Sequence, residues 1–429
     1  MLNKPSQIFL FLILASLNVW GQEEGHSEKR RLDFAKTYFE YGGSFFPSFT
    51  GKRLINDEIQ SFEHSASIGQ YLNWGGFHFW GHAEFYATFP LGQNNLRQSE
   101  AVDFQLRHSV STGARILPWA YEPLKLRPYV GVSWSALDFQ QIVQPETEQP
   151  VMGKDVLLVP DIGVLYGYKQ FALRLGVHYF HNNQWNYPLS RTRFADIETP
   201  KWMVQLGLNY SFENSHVKDE IANERWNTYP RIASPGFGTK RRGDFFIGLG
   251  PSSSFSTKGT AYNATYFPWL RDKLISTFFA DAAIGYHFYQ PGILTALSFR
   301  NPRFVNEGYG MVQSIHKNSL ALEVSKLLTD YSGFAPYVGV NLAYDRFSYS
   351  ETDDGHEMTQ TFDQLEPGFT FGWDIIPGKT DEALILRTNL RWYPWSDFEI
   401  EGKAFSFAQL EYNLIQVIFY PGRWKRSRG

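Results

Sequence analysis

The sequence predicts an all-β fold: a transmembrane antiparallel β-barrel of about 16 strands, set out as two similar eight-stranded units. Three observations carry this expectation. The segment Lys201 to Phe212 alternates strictly, with Trp202, Val204, Leu206, Leu208, Tyr210 and Phe212 on one face and Met203, Gln205, Gly207, Asn209 and Ser211 on the other. A strand lying between hydrocarbon and a polar lumen needs that period of two. Short turns then alternate with long polar loops along the chain, as in barrels with short periplasmic turns and long outside loops. Finally, no apolar run reaches the roughly 20 residues that a membrane-crossing helix needs, so insertion must use a closed barrel with all backbone groups paired.

Taken in order, residues 1–21 read as a secretory signal peptide, with Lys4 ahead of an apolar run from Ile8 to Val19. A periplasmic segment, 22–35, leads into barrel unit 1 at 36–213. Its strands are expected near Thr37–Phe46, Phe62–Leu72, Phe77–Phe89, Val102–Ile116, Leu126–Phe139, Val156–Tyr168, Phe171–Phe180 and Trp202–Phe212. A polar linker, 214–243, precedes unit 2 at 244–421. Strands are expected there near Phe245–Phe255, Leu274–Tyr289, Ile293–Arg300, Ser314–Leu328, Phe334–Tyr349, Phe362–Ile375, Ala383–Tyr393 and Phe407–Tyr420, and a basic tail, 422–429, closes the chain. In unit 1 the short turns fall at Asn73–Gly76, Pro118–Leu124 and Lys169–Gln170, and the long loops at Phe49–Ser61, Leu91–Ala101, Gln140–Asp155 and His181–Lys201. A soluble β-sandwich also alternates, but it has no reason to sort its loops by length.

Composition agrees. A mean hydropathy of −0.33 looks soluble in bulk, as expected when half of every strand faces a polar interior, and 17% of residues are aromatic, 13 of them Trp. Tyr and Trp concentrate at membrane interfaces. The absence of Cys removes disulfides, lipidated cysteines and thiolate chemistry, and a net charge of −3 gives no reason to expect nucleic acid as a partner.

The two units repeat. LRPYVGVSWSALDF at Leu126 and FAPYVGVNLAYDRF at Phe334 lie 208 residues apart, KRRLDF at Lys29 and KRRGDF at Lys240 lie 211 apart, and LVPDIGVLYGY at Leu158 and LEPGFTFGWDI at Leu365 lie 207 apart. The PYVGV strand after a short turn, the signal peptide and a last strand ending LIQVIFY resemble the small outer-membrane β-barrels of Gram-negative bacteria, the OmpA/OmpW-like superfamily, in the versions common in Bacteroidota. The resemblance implies fold and location, the cell outer membrane, with outer-membrane lipid and the barrel-assembly machinery as partners and a possible surface ligand at the long loops. Tandem units can close as two small barrels or as one of sixteen strands. The long linker and small lumen residues such as Gly131, Gly163, Gly207, Gly339 and Gly372 favour two, while the rarity of two-barrel chains tips the expectation slightly to one.

The candidate functional residues are lumen charges: Glu84, Asp103, Arg107, Arg115, Arg174, His178, Glu323, Arg387 and Arg391. Inside a narrow barrel they must pair, whereas in a wide one they would line a pore and set ion selectivity. His78, His82 and Glu84 share one face of a single expected strand, where lumen filler is the simpler reading than a metal site. The acidic loop Glu351–Glu357 lacks the ligand spacing of a calcium loop. His108 and Ser109 point to opposite faces, and His181, Asn182, Asn183 and Ser190 form no motif, so neither a catalytic residue nor a cofactor is assigned. The basic clusters Lys29 to Arg31, Lys240 to Arg242 and Arg423 to Arg428 are expected on the periplasmic rim, against headgroups or merely solvated. The expected role is a structural or surface-interacting barrel protein, with a passive diffusion pore as runner-up and a lipid-modifying enzyme or protease behind both.

Overall fold

A computed structural model of the protein describes residues 36–55, 58–91, 95–97, 102–108, 110–143, 153–181, 183–188, 190–212, 242–328, 334–375 and 383–427. The expected signal peptide, residues 22–35, most of the linker, Lys29 to Arg31, Lys240, Arg241, Asn182 and Arg428 lie outside the described residues.

In unit 1 the strands are β1 (Lys36–Phe46), β2 (Phe49–Ile55), β3 (Glu58–His64), β4 (Ser67–His78), β5 (Ala83–Leu91), β6 (Asn95–Arg97), β7 (Val102–His108), β8 (Ser111–Ile116), β9 (Leu126–Val143), β10 (Gly153–Tyr168), β11 (Phe171–Tyr179), β12 (Gln184–Pro188), β13 (Phe194–Glu198) and β14 (Trp202–Phe212). Unit 2 contains β15 (Gly243–Ser256), α1 (Ala261–Tyr266), β16 (Phe279–Phe288), β17 (Ile293–Arg300), β18 (Arg303–Gly308), β19 (Met311–Leu327), β20 (Phe334–Asp353), β21 (His356–Ile375), β22 (Leu384–Tyr393), β23 (Asp397–Ile400), β24 (Lys403–Ser406), β25 (Gln409–Phe419) and α2 (Pro421–Ser427).

Each unit closes on itself. The first ring runs β1-β4-β5-β8-β9-β10-β11-β14, and β14 returns to pair antiparallel with β1 from Thr37↔Phe212 to Phe45↔Val204. The second runs β15-β16-β17-β19-β20-β21-β22-β25, and its seam is the β15–β25 pairing. The all-β barrel class therefore stands, while the slightly favoured sixteen-strand closure is replaced by two eight-stranded barrels. A narrow bore is built into the side chains. Inward tyrosines lie across inward glycines on neighbouring strands: a Cβ at Gly75 would come within 2.7 Å of the Tyr38 hydroxyl and 2.6 Å of the Phe85 carbonyl oxygen. Across the bore, Arg174 on β11 reaches Glu84 on β5, a span between non-neighbouring strands that a sixteen-stranded ring would open.

The strand faces sort as the alternation demands. Along β14, Met203, Gln205, Gly207, Asn209 and Ser211 are buried, whereas Trp202, Leu206, Leu208 and Tyr210 are exposed. Around the rest of ring 1, exposed Val130, Leu158, Ile162, Leu173 and Leu175 form an apolar outer wall, with Tyr166, Tyr168, Phe171 and Tyr210 at its short-turn end. An uncovered apolar band edged with aromatics is unstable in water and suited to lipid.

Four local expectations change. Gly75 and Gly76 are not a turn but sites of close approach inside β4, and the reversal falls instead at Phe79–Gly81, where Phe79 and Gly81 take positive φ. His78 thus ends one strand, His82 sits in the turn, and Glu84 belongs to the next strand, so the expected shared face does not exist. The loops expected at Phe49–Ser61 and His181–Lys201 are the hairpins β2–β3 and β12–β13, joined into one four-stranded sheet at the long-loop end. In unit 2 the acidic loop is a two-residue turn, Asp354–Gly355, both at positive φ, which caps the tall β20–β21 hairpin.

Above ring 2, the upper parts of β19 to β21, together with α1, β18, β23 and β24, enclose an apolar core containing Phe304, Ile315, Phe347, Phe398, Phe405 and Phe407. Phe398 and Phe405 stack with centroids 4.7 Å apart, and Phe347 stacks on Phe362 at 5.1 Å. This core stands beyond the apolar outer wall and covers one mouth of the barrel.

The rings also touch. Phe85 packs on Trp373 with centroids 5.3 Å apart, Trp134 packs on Phe255 at 4.9 Å, and the Thr112 and Tyr412 hydroxyls lie 3.2 Å apart. At the long-loop end Arg191, between β12 and β13, donates to the Tyr309 carbonyl (2.6 and 2.8 Å) and to Asp353 (2.6 and 3.3 Å), while the Tyr309 hydroxyl donates back to Pro188 O at 2.6 Å. Tyr309 holds a positive φ that a bulky residue rarely adopts, so this clasp stabilises an otherwise costly turn. A hydrogen bond to a charged group contributes about 1.5–3 kcal/mol. After cleavage at a protease site inserted in the linker, the two halves of the native protein should co-purify, and Arg191→Ala should release one from the other. Equal co-purification of the variant would show that the wall contacts suffice alone.

Candidate functional site

Inside ring 1, five charged side chains form one network with no solvent exposure. Arg115 Nη1 donates to Glu84 at 2.9 Å and Arg115 Nε to Asp161 at 2.7 Å. Arg174 Nη2 donates to Glu84 at 2.7 Å and Arg174 Nε to Glu40 at 2.6 Å. Glu84 also accepts from Tyr38, and Glu40 accepts from Tyr71 (3.1 Å) and Asn73 (2.9 Å). Tyr86 lies under the Arg115 guanidinium, 3.7 Å from ring centre to Cζ, and Tyr129 stands 5.1 and 5.2 Å from Arg115 and Arg174. The two cations are thus shared among three carboxylates and backed by aromatic faces.

Of the expected residues, Glu84, Arg115 and Arg174 meet here. His178 sits apart, one ring nitrogen 2.8 Å from Gln205 Oε1, with Gln205 donating to Ser44 at 3.1 Å. Asp103 and Arg107 belong to β7, which pairs with the top of β9 above the level where β5 meets β8; their side chains lie outside the described residues.

Ring 2 carries a ladder of ion pairs. Arg391 bridges Asp281 (2.6 Å) and Glu323 (2.8 Å), and Arg387 grips Asp374 with two bonds of 2.6 and 2.8 Å. Nearer the long-loop end Arg300 pairs with Glu411, and Lys317 lies 2.7 Å from Asp345, 3.2 Å from Glu411 and 3.5 Å from Glu366. At the opposite mouth Arg423, expected on the rim against headgroups or solvent, is only 2% exposed. It turns inward from α2, with its guanidinium 3.5 Å from the Tyr420 ring centre and 3.8 Å from Asp244. Burial of its stem and the inward carboxylate outweigh solvation at the rim.

Sequence reasoning missed Glu40, Asp161, Asp281, Arg300, Lys317, Asp345, Asp374 and Glu411. Each sits in lumen phase on its strand, so the parity signal was present for all of them.

Outside the wall, Tyr262 on α1 donates to Glu351 at 3.0 Å and Tyr349 donates to it at 2.5 Å, so burial and that carboxylate push both phenols up. In the turn before β9, Lys125, donating at 2.5 Å, and Arg127 hold the exposed Glu122 carboxyl below its usual range. Among the described residues no cluster of His, Asp or Glu has the geometry of a metal site. Ser190 Oγ accepts from the Thr192 and Arg193 amides, and Asn183 donates to Glu198 and to Thr199 O, so these loop residues organise backbone.

Together, these observations define a class: closed eight-stranded antiparallel barrels with ion-paired, tyrosine-filled lumens and apolar outer walls. This protein is two such barrels in one polypeptide. No protein-family model matches the chain, and no curated protein does. Among solved structures, Neisserial surface protein A is similar at 13% identity over 41% of this chain and 96% of its own, with a TM-score of 0.30. OmpT of Vibrio cholerae, an outer-membrane protein, shares 7% identity over 93% of this chain and 100% of its own at a TM-score of 0.19. The transport unit of the autotransporter AIDA-I from Escherichia coli shares 7% over 96% and 97% at 0.18. The fold assignment rests on the strand pairings given above.

Proposed function

We propose that this is an integral outer-membrane protein whose two barrels are closed anchors for a joint extracellular surface. The observation that carries the reading is the filled lumen: each ring is occupied across its width by buried ion pairs and tyrosines, and ring 2 is also covered by its apolar core. The runner-up, a diffusion pore, drew its support from a sixteen-strand closure, and the pairings make two narrow rings instead. On this reading the long-loop end faces outward, the clasped hairpins of the two units form one platform for a surface ligand, and the role is structural or adhesive, with no catalytic chemistry. The repeated motifs fit tandem OmpA/OmpW-like units of the Bacteroidota kind, exported by a cleaved signal peptide and inserted by the assembly machinery. In support of the tandem, the two PYVGV segments occupy the fifth wall strand of each ring.

The test is direct. The mature chain should fractionate with outer membranes, need detergent for release and run with heat-modifiable mobility on gels. Reconstituted in planar bilayers, it should give no sustained conductance. A stable open channel would overturn the closed-anchor reading, and recovery in the soluble periplasm would overturn the membrane assignment itself.

A further inference from the structure

The outer face of β17 to β21 changes character in transverse rows, because residues facing one another across paired strands share a height and a side. The lower rows are apolar: Leu297, Leu322 and Leu342, then Phe299, Leu320, Tyr344 and Leu365, most of them half-exposed. The next row is Asn318, Arg346 and Asp363. Above it, Arg303, His316, Ser348 and Thr361 stand side by side, followed by Val305, Ser314, Ser350 and Thr359. The last two rows line an open groove of about 340 Å³. Four strands at the usual spacing make it about 14 Å wide, and rows two residues apart lie about 7 Å above one another.

This arrangement is graded like an amphiphile. An apolar strip runs without interruption into a row holding a cation and an acid side by side, then into a row with Arg303 and His316 adjacent and hydroxyls beside them. Among the described residues the Arg303 and His316 side chains have no carboxylate partner; the acids of this face, Asp363 below and Glu307 and Glu357 above, bound the patch without entering it. A soluble saccharide would leave the apolar rows unused, and a neutral lipid would leave the cations unused.

We propose that this face binds a phosphorylated glycolipid of the outer leaflet, with acyl chains along Leu320, Leu342 and Leu365, phosphate at Arg303 and His316, and sugar hydroxyls on the serine and threonine rows. The proposal rests on the outer-membrane reading above. Arg303 supplies a charge-assisted, two-pronged donor set for phosphate, and the hydroxyls both donate and accept.

The test uses the full mature chain in detergent micelles, with lipid A carrying its phosphates and the same lipid with both phosphates removed, bound lipid being counted by native mass spectrometry. The native protein should retain the phosphorylated form about tenfold better, as expected for one net charge-assisted contact. The double variant R303Q/H316Q should lose that preference, and R303K should keep most of it. Both side chains are outside the lumen networks, so unchanged heat-modifiable mobility reports that the barrels remain intact. Equal retention of both lipids, or an undiminished preference in R303Q/H316Q, would overturn the proposal. Competition by soluble glucosamine phosphate as strong as by the lipid would overturn the membrane lipid as occupant. Loss of heat-modifiable mobility in the native chain would instead sink the outer-membrane reading beneath it.

Discussion

Arg174→Met is expected to lower the stability of the first barrel by roughly 3–5 kcal/mol, the usual cost of leaving buried charges without their partner. Among the described residues Arg174 is the only charged link between Glu40 and the rest of the network, and it shares Glu84 with Arg115. Methionine fills much of the same volume and removes only the guanidinium. Three carboxylates would then face one cation in a lumen without solvent exposure, and Glu40 would keep only Tyr71 and Asn73 as donors. The measurement is the urea midpoint of the heat-modifiable gel shift. A second substitution, Glu40→Gln in the same chain, should restore part of the loss, because it removes the stranded charge. An unshifted midpoint for Arg174→Met would mean that water enters the lumen and screens the network.

Lys317→Met should do at least as much damage in the second barrel. Its ammonium is the common partner of Asp345, Glu366 and Glu411, and only Glu411 has another cation, Arg300. The sign of the accompanying pH effect follows from the carboxylates. In the variant, low pH protonates the Asp345 carboxylate left without its cation, so the stability lost at neutral pH should be partly recovered near pH 4. The native protein, in which Asp345 keeps its cation, should change in the opposite direction over that range. Parallel pH curves for the two proteins would show that Lys317 is not the counter-ion of this cluster. The same experiment read on ring 1 should show no change, since its network shares no charged residue with that of ring 2.

The class of fold was legible because membrane strands follow a strict rule, and β14 obeys it residue by residue. Glu84, Arg115 and Arg174 were legible as lumen charges by the same parity. Their partners were not, because parity states which side of the wall a residue faces but not its height, and only shared height brings Arg174 to Glu40, 134 residues away. Turns were misplaced where glycine had two uses. Gly75 and Gly76 look like a reversal, yet Gly75 makes room for Tyr38 and Gly76 for His78, while the true turn takes Phe79 into a positive φ that nothing in its side chain announces. The hairpins above the rings were missed for a related reason: β2, β3, β12 and β13 combine polar and apolar residues without a membrane to enforce alternation. The number of rings was the least legible feature, since the alternation along each strand is the same in either closure.

That last point has a cost for the chain during assembly. If β1 resembles β15 and β14 resembles β25, each seam has a second possible partner, and the wrong choice yields one large ring or an exchange between two molecules. Loop entropy barely discriminates, because doubling the length of chain between the two edges adds only about 0.6 kcal/mol. Discrimination must come from what the seam strands carry inward. Ring 1 brings Glu40 on β1 to Arg174 beside the seam, and ring 2 sets Ser254 on β15 against Gln409 on β25, so a mismatched seam would strand an acid in one place and leave a hydroxyl facing the wrong partner in the other. The polar pairs carried inward at the two seams would therefore act as a proofreading code, by which each half of the chain recognises its own end.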